Sequence, residues 1–444
     1  MNLSLGFHSP AGNDAVLLLL LQMSVLLATA VLLGRLAARF GLPAVVGELS
    51  AGVVLGPSLL GNAVPAATAW LMPETGQVRL LDAVTHLGLL LLVAVAGAHI
   101  DLESLRSRGR AVSWVSAGSV LLPLVCGVAL GWVLPGTFMG GSADRVTFAL
   151  FMGVALAVSA LPVIAKTLLD MNLLHRDVGQ LIVGAAAVSD IVGWLLLSVV
   201  SATATSGFRT GTLLTSGGAL VLALAAALLL RPVSRRLLPD QDGPAGGPGS
   251  RVAVTVLLVL LCSAGSQALG LEAILGAFLC GIVIGSLGIG ARRAVEAVRP
   301  LVMAVLAPLF LASAGLKVDL SVLKDPVVLG MGLVALAVAI GSKYLGSHLG
   351  ARLGRLSRPE AQAIGVGLNA RGVVEIVLAS VGLQLGVLSV ASYTVIVLIA
   401  VVTSVMAPPV LRRATSGMAI TPAETERGRR FAPDAPGARV GSTP

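Results

Sequence analysis

The sequence predicts an all-α polytopic membrane protein of about thirteen transmembrane helices, built as inverted-topology repeats with two discontinuous helices. Three observations carry this. The chain has 444 residues, 56% of them hydrophobic and only 11% charged. Its mean hydropathy is +0.97, outside the range of water-soluble domains of this length. Two glycine-containing blocks of the first half recur in the second. Finally, a single carboxylate, Asp190, stands midway along the otherwise uncharged stretch Val178 to Ala202.

The spans follow from apolar runs approaching the roughly 20 residues needed to cross a bilayer core. In the first half they are Ala15 to Gly34, Ala44 to Leu60, Leu81 to Ala98, Ala111 to Leu134, Val146 to Leu169, Val178 to Ala202 and Leu213 to Leu230. The second half supplies Val252 to Leu269, Ala273 to Leu287, Leu301 to Leu316, Val327 to Gly350, Ala361 to Leu383 and Val390 to Leu411. The first lacks a basic leader and a small-residue cleavage site, so it is read as a retained helix. Residues 1–412 form one transmembrane domain, with repeat one at about 15–202 and repeat two at about 252–411. Residues 413–444 are polar and proline-containing, and are expected to be a disordered cytoplasmic tail.

A net charge of +9 could signal nucleic acid, but the placement of the 30 Lys and Arg residues assigns it to topology. One side of the thirteen-span arrangement carries only Arg79, Arg145, Arg209, Lys317 and Lys324; most of the rest lie on the other. That asymmetry puts the N-terminus outside and the C-terminus in the cytoplasm, most simply at the cell membrane, with the lipid bilayer as partner and no nucleic acid. Cys126, Cys262 and Cys280 stand singly in separate spans without metal-ligand spacing. The five histidines form no nucleophile or metal set, so neither an enzyme nor a cofactor is expected.

Gly41 to Gly56 (GLPAVVGELSAGVVLG) matches Gly270 to Gly285 (GLEAILGAFLCGIVIG), including all four glycines of the first block. Ala94 to Leu105 similarly matches Ala312 to Leu323, with Asp101 opposite Asp319. The copies are an odd number of spans apart, which turns the second upside down, the arrangement that builds central sites in many secondary transporters. Extending the alignment sets Gly153 to Leu169 against Gly365 to Val381. Pro162 in one segment and Asn369 to Gly372 in the other predict a pair of broken helices, tolerated at membrane depth only around a cavity or buried polar site. The next span sets VSDI, Val188 to Ile191, against TSVM at Thr403 or VTSV one residue earlier, so Asp190 has no acidic counterpart.

Charging a carboxylate at a helix centre costs about 2.5 to 3.5 kcal/mol on insertion scales, which makes Asp190 a functional candidate. Lys343 and Arg371 are basic residues inside spans, and Glu375 stands four residues beyond Arg371. Glu48 is a further acid at membrane depth, either a packing acid or part of an ion path.

The ordered segments LPAVVGELSAGVVLGPSLLG, GVALAVSALPVIAKTLLD, AAAVSDIVGW, GSKYLGSHLG and LNARGVVEI make the chain similar to the second monovalent cation:proton antiporter family, near the Kef-type membrane domain and the plant cation/proton exchangers. The similarity extends from about Ala15 to Leu411. It implies a Na⁺/H⁺ antiporter-like fold, with a dimerisation half and a core half crossed by two broken helices, and a homodimer. Carried over by position, Asp190 resembles the ion-binding aspartate, Ser159 stands where the family often has Thr, and Lys343 resembles its embedded lysine. Asn369, Arg371 and Glu375 match the second broken helix. Relatives commonly place an amide or second acid before the aspartate, whereas this chain has Ser189.

The function expected is exchange of Na⁺ or K⁺ for protons by alternating access, serving pH homeostasis. Asp190 binds cation or proton in competition, Lys343 is its ion-pair partner, and Ser189 or Ser159 supplies further oxygen; Arg371 and Glu375 form a structural pair. The alternatives are proton-coupled efflux of an organic cation or antibiotic, and a gated K⁺ efflux pathway needing a separate regulatory subunit.

Overall fold

The computed structural model describes residues 11–63, 77–98, 109–171, 173–206, 218–219, 221–223, 225, 232, 248–287, 289–418, 420–422 and 424. In chain order the main helices are α1 (Ala11–Arg39), α2 (Ala44–Leu55), α3 (Gln77–Ala98), α4 (Gly109–Val133), α5 (Arg145–Ala157), α6 (Leu161–Asp170) and α7 (Asp177–Ser206). The second half gives α8 (Pro248–Ala268), α9 (Ala273–Gly285), α10 (Ile289–Leu301), α11 (Ala307–Leu316), α12 (Pro326–Leu353), α13 (Arg358–Gly367), α14 (Val373–Gln384) and α15 (Val390–Thr415). A π-helical turn, Val302–Leu306, joins α10 to α11. Among the described residues, 8 helical segments are long and apolar enough to cross a membrane, and α2, α5, α9 and α14 are shorter apolar helices. Most of the expected span Leu213 to Leu230, and Asp101 of the repeat, lie outside the described residues.

The chain divides into two compact units, and these are not the two repeats. One comprises residues 1–98, 224–268 and 276–325; the other comprises 99–223, 269–275 and 326–444. Each unit therefore takes helices from both repeats.

The repeated glycines have equivalent jobs. Gly41 and Gly270 adopt φ of 74° and 75°, the left-handed conformation that follows α1 and α8 with little steric cost only in glycine. A methyl on Gly52 of α2 would lie 1.9 Å from the Ala312 carbonyl of α11, and one on Gly281 of α9 would lie 2.1 Å from the Ala94 carbonyl of α3. The second helix of each repeat thus packs backbone to backbone on the third helix of the other. Glycine permits the approach, and the inverted symmetry makes it reciprocal.

The second unit contains α4 to α7 and α12 to α15. Here α4 and α12 meet at Gly118 and Gly346, where a methyl on either would lie about 2 Å from the other's carbonyl oxygen. The expected span Val146 to Leu169 is broken at residues 158–160, and Ala361 to Leu383 at residues 368–372. Pro162 does not sit in the first gap. It is the second residue of α6, where a helix has no use for its missing N–H. Polar caps fix the outer ends: Asp144 accepts from Thr147 N–H at 2.7 Å to start α5, and Ser357 and Glu360 form a capping box at the start of α13.

The expected tail boundary at 412/413 falls inside α15, which continues to Thr415. Beyond it the chain turns back onto the start of α7. Arg176 Nη2 donates to the Met418 carbonyl at 3.0 Å, and Asp177 N–H donates to Glu424 Oε1 at 2.8 Å. Thr421 and Glu424 cap one another reciprocally. The first part of the segment expected to be disordered is therefore held by specific contacts; residues 425–444 lie outside the described residues.

Candidate functional site

Two interrupted helices create two ends with bare carbonyls and two with bare N–H groups, none of which can turn to water at membrane depth. Each is met by a named side chain. At the carbonyl end of α5, Arg371 Nη1 donates to Ala155 O at 3.2 Å and Nη2 donates to Leu156 O at 2.8 Å. The same Nη2 also donates to Ala339 O of α12 at 3.2 Å. Lys343 Nζ completes this end by donating to Ala157 O. At the N–H end of α6, Leu161 N–H donates to Asp190 Oδ2 at 3.3 Å.

The second break repeats the logic. Asn369 Nδ2 donates to Gly365 O at 3.4 Å and to Ile340 O at 3.2 Å, covering the carbonyl end of α13. Glu375 Oε2 accepts Gly372 N–H at 2.8 Å, capping the start of α14. Carboxylates stand at both N-termini, and cations at the C-terminus of α5, the placement that the helix dipole favours; the C-terminus of α13 has the neutral amide of Asn369. The breaks also touch: a methyl on Gly372 would meet Val163 Cγ2 at 2.6 Å, which leaves room only for glycine. Gly193, one turn beyond Asp190, lies equally close to Val158, so this face of α7 is pressed against the first break.

Asp190 is 3% exposed, and among the described residues its Oδ1 has no hydrogen-bond partner; Ser159 Oγ, in the first break and fully buried, has none among them either. A buried polar atom without a partner forfeits its hydration, and an uncompensated buried carboxylate costs several kcal/mol. Asp190 therefore stands with one carboxylate oxygen uncompensated by any described hydrogen-bond donor.

Lys343 does not supply it by contact. Among the described residues no ion pair joins Lys343 to Asp190; the ammonium acts on the carboxylate only through space. The two side chains expected to pair are therefore not in contact here. An amine at that position is captured by the unpaired Ala157 carbonyl, a demand created by the helix break. Arg371 likewise does more than balance Glu375. Their closest approach is 3.9 Å, while the guanidinium is spent on three carbonyls from two helices.

Ser189 is fully buried and lies 3.1 Å from Ser119 Oγ of α4. Ser119 was not singled out by sequence, and neither was Ser404 of α15, whose hydroxyl donates to the Arg371 carbonyl inside the second break. The register that sets VTSV against VSDI puts Ser404 opposite Asp190, so a weak sequence signal for Ser404 did exist. Glu48 belongs to the first unit, where its side chain packs over Gly34 of α1. Asp190, Ser159, Ser189, Lys343, Asn369, Arg371 and Glu375 all belong to the second.

The family model described as sodium/hydrogen exchanger, transmembrane, matches residues 25–416. The chain is 30% identical over 400 residues to the Na(+)/H(+) antiporter NhaS4 of Synechocystis sp., covering 90% of this chain and 97% of that protein. It is 31% identical over 405 residues to cation/H(+) antiporter 18 of Arabidopsis thaliana, covering 89% of this chain but 49% of the plant protein, so it spans about half that relative's length. The solved structure of the sodium proton antiporter MjNhaP1 from Methanocaldococcus jannaschii at pH 8 matches with a TM-score of 0.66 over 93% of this chain and 99% of that one, at 16% identity, a likeness of fold. With a family model matched across most of its length and a relative aligned almost end to end, the chain belongs to the transmembrane sodium/hydrogen exchanger family and is an integral membrane transporter.

Proposed function

We propose that this transporter exchanges Na⁺ or K⁺ for protons by alternating access, and that Asp190 is the group for which the two compete. The observation that carries the reading is the pair of buried oxygens without partners, Asp190 Oδ1 and Ser159 Oγ, at the first helix break. A lone buried carboxylate is costly when empty and satisfied by one positive charge at a time. A proton covers one lone pair of Asp190; a dehydrated cation takes the same carboxylate together with the Ser159 hydroxyl and unwound carbonyls. Binding either one removes the demand for the other, which couples the two fluxes. Arg371, Asn369 and Glu375 hold the half-helix ends in register, and Lys343 keeps a positive charge near the carboxylate without occupying it.

The family likeness supports a homodimer, and the Lys and Arg asymmetry supports an N-terminus outside and a C-terminus in the cytoplasm, most simply at the cell membrane. In everted vesicles carrying a pH-sensitive dye, Na⁺ or K⁺ should dissipate an imposed proton gradient. Asp190→Asn should remain in the membrane and lose this response. Substantial cation-driven proton flux in that variant would overturn the assignment, and a response to organic cations alone would move the substrate to the organic class.

A further inference from the structure

Ser119 is uncharged, and its hydroxyl is in contact with that of Ser189, the residue before Asp190 in α7. Its hydroxyl is fully buried, donates to the Ser116 carbonyl one turn earlier in α4 at 3.0 Å, and lies 3.1 Å from Ser189 Oγ. A hydroxyl has one proton and two lone pairs. Either hydroxyl can donate across the Ser119 to Ser189 contact; in the arrangement where the Ser119 proton goes to Ser116 O, the donor is Ser189. Ser189 then has both lone pairs uncommitted, and a hydroxyl that donates is a better acceptor for doing so.

We propose that Ser119 is a positioning residue for cation binding: by accepting the Ser189 proton it turns the Ser189 oxygen into a lone-pair ligand for the dehydrated cation held at Asp190. The proposal rests on Asp190 as the exchange site. Without Ser119, the Ser189 proton turns to a carbonyl one turn back in α7, which rotates the lone pairs away. The loss falls on cation affinity, while the proton site at Asp190 and the turnover steps are left in place.

The test is cation-concentration dependence of exchange by the full chain in proteoliposomes, for Na⁺ and for K⁺ at fixed pH. Ser119→Ala is expected to raise the apparent KM about fivefold, the worth of one hydrogen bond, with the maximal rate within about twofold of the parent. Ser119→Thr, which keeps the hydroxyl, should restore the parental KM. Ser189→Ala should resemble Ser119→Ala, and the double variant should be no worse than Ser189→Ala, because both remove the same ligand. An unchanged KM in Ser119→Ala, or effects that multiply in the double variant, would overturn the proposal. Should the threonine methyl prevent folding, the comparison of the two alanine variants with their double still decides. Asp190→Asn separates the levels: if it still exchanges, the exchange-site reading fails; if it is inactive while Ser119→Ala keeps a parental KM, only the role of Ser119 fails.

Discussion

Lys343 of α12 donates its ammonium proton to the carbonyl of Ala157, the last residue of half-helix α5. That contact assigns the embedded lysine to the helix break and leaves Asp190 Oδ1 open to an incoming charge. It follows that Lys343→Ala should be damaged first in stability. It strands the Ala157 carbonyl, an omission worth about 1 to 3 kcal/mol. Lys343→Gln, whose amide can still donate, should recover much of that loss. Thermal unfolding in detergent, followed by size-exclusion of the fluorescently tagged protein, measures the order of the three proteins. Equal midpoints for the parent and Lys343→Ala would remove the cap.

Arg371 and Glu375 should respond unequally to neutralisation although they are neighbours. Arg371→Met uncovers Ala155, Leu156 and Ala339 carbonyls at once, in a wholly buried setting. Glu375→Gln keeps a carbonyl oxygen able to accept Gly372 N–H. We expect Arg371→Met to lose more than about 3 kcal/mol, in the range for breaking a buried charged network, and Glu375→Gln less than half of that. The same unfolding assay reads the difference; equal losses would mean that their mutual ion pair, and not the helix caps, carries the energy.

The fold was legible because inversion leaves a repeated code: Gly52 and Gly281 stand at matching places in the sequence, and each meets a carbonyl of the other repeat. Asp190 was legible because a charge in an apolar run is rare. The partners of Lys343 and Arg371 were not, since backbone carbonyls carry no residue-specific signal. Ser119 escaped because it is uncharged and lies 70 positions from Ser189. The Met418 to Glu424 contacts had a readable cue that went unused: Thr421 and Glu424 have the spacing of a capping box. Composition had suggested disorder for the whole segment.

Reciprocal packing predicts that Gly52→Val and Gly281→Val fail alike. Each adds a branched side chain where even a methyl would lie 1.9 or 2.1 Å from a backbone oxygen, a clash no side-chain rotation relieves. The yield of monodisperse protein after extraction should fall severalfold for both. A normal yield for one and collapse of the other would show that the two contacts are unequal despite the symmetry.

Glu424 predicts an acid-sensitive contact at the start of α7. Burial pushes its carboxyl up, but the N–H groups of Thr421 and Asp177 and the nearby Arg176 outweigh burial and hold it below the usual carboxylate value. A group whose folded pKa is depressed stabilises above its unfolded pKa, about 4.3 for Glu, and that stability is lost as pH falls through the folded value. The contact should therefore persist across neutral pH and open below about pH 4. Hydrogen exchange at the Asp177 amide, corrected for intrinsic rate, should be slow at pH 7, faster in strong acid, and fast at both in Glu424→Ala. Protection unaffected by that substitution would place the amide's partner elsewhere.

The charge carried per cycle follows from where the two nearby positive and negative groups are spent. Among the described residues Asp190 Oδ1 and Glu375 Oε1 both lack a hydrogen-bond partner, but Glu375 Oε1 has the Arg371 guanidinium 3.9 Å away, whereas no ion pair reaches Asp190. The Lys343 ammonium donates to the carbonyl end of α5. If Asp190 is the exchange site proposed above and Lys343 keeps its proton there, one cation and one proton replace each other at a single carboxylate, and no net charge is expected to cross the membrane. An electroneutral exchanger has a reversal point set by the two concentration gradients alone. One that moved an extra charge would see its balance shifted by about 2.3 kcal/mol per 100 mV, roughly fiftyfold in the gradient ratio. In proteoliposomes polarised by an ion the protein does not carry, the gradient ratio at which proton flux changes sign should stay the same at every imposed voltage. A reversal point that moves with voltage would show that a second proton travels, and would return Lys343 to the transport cycle.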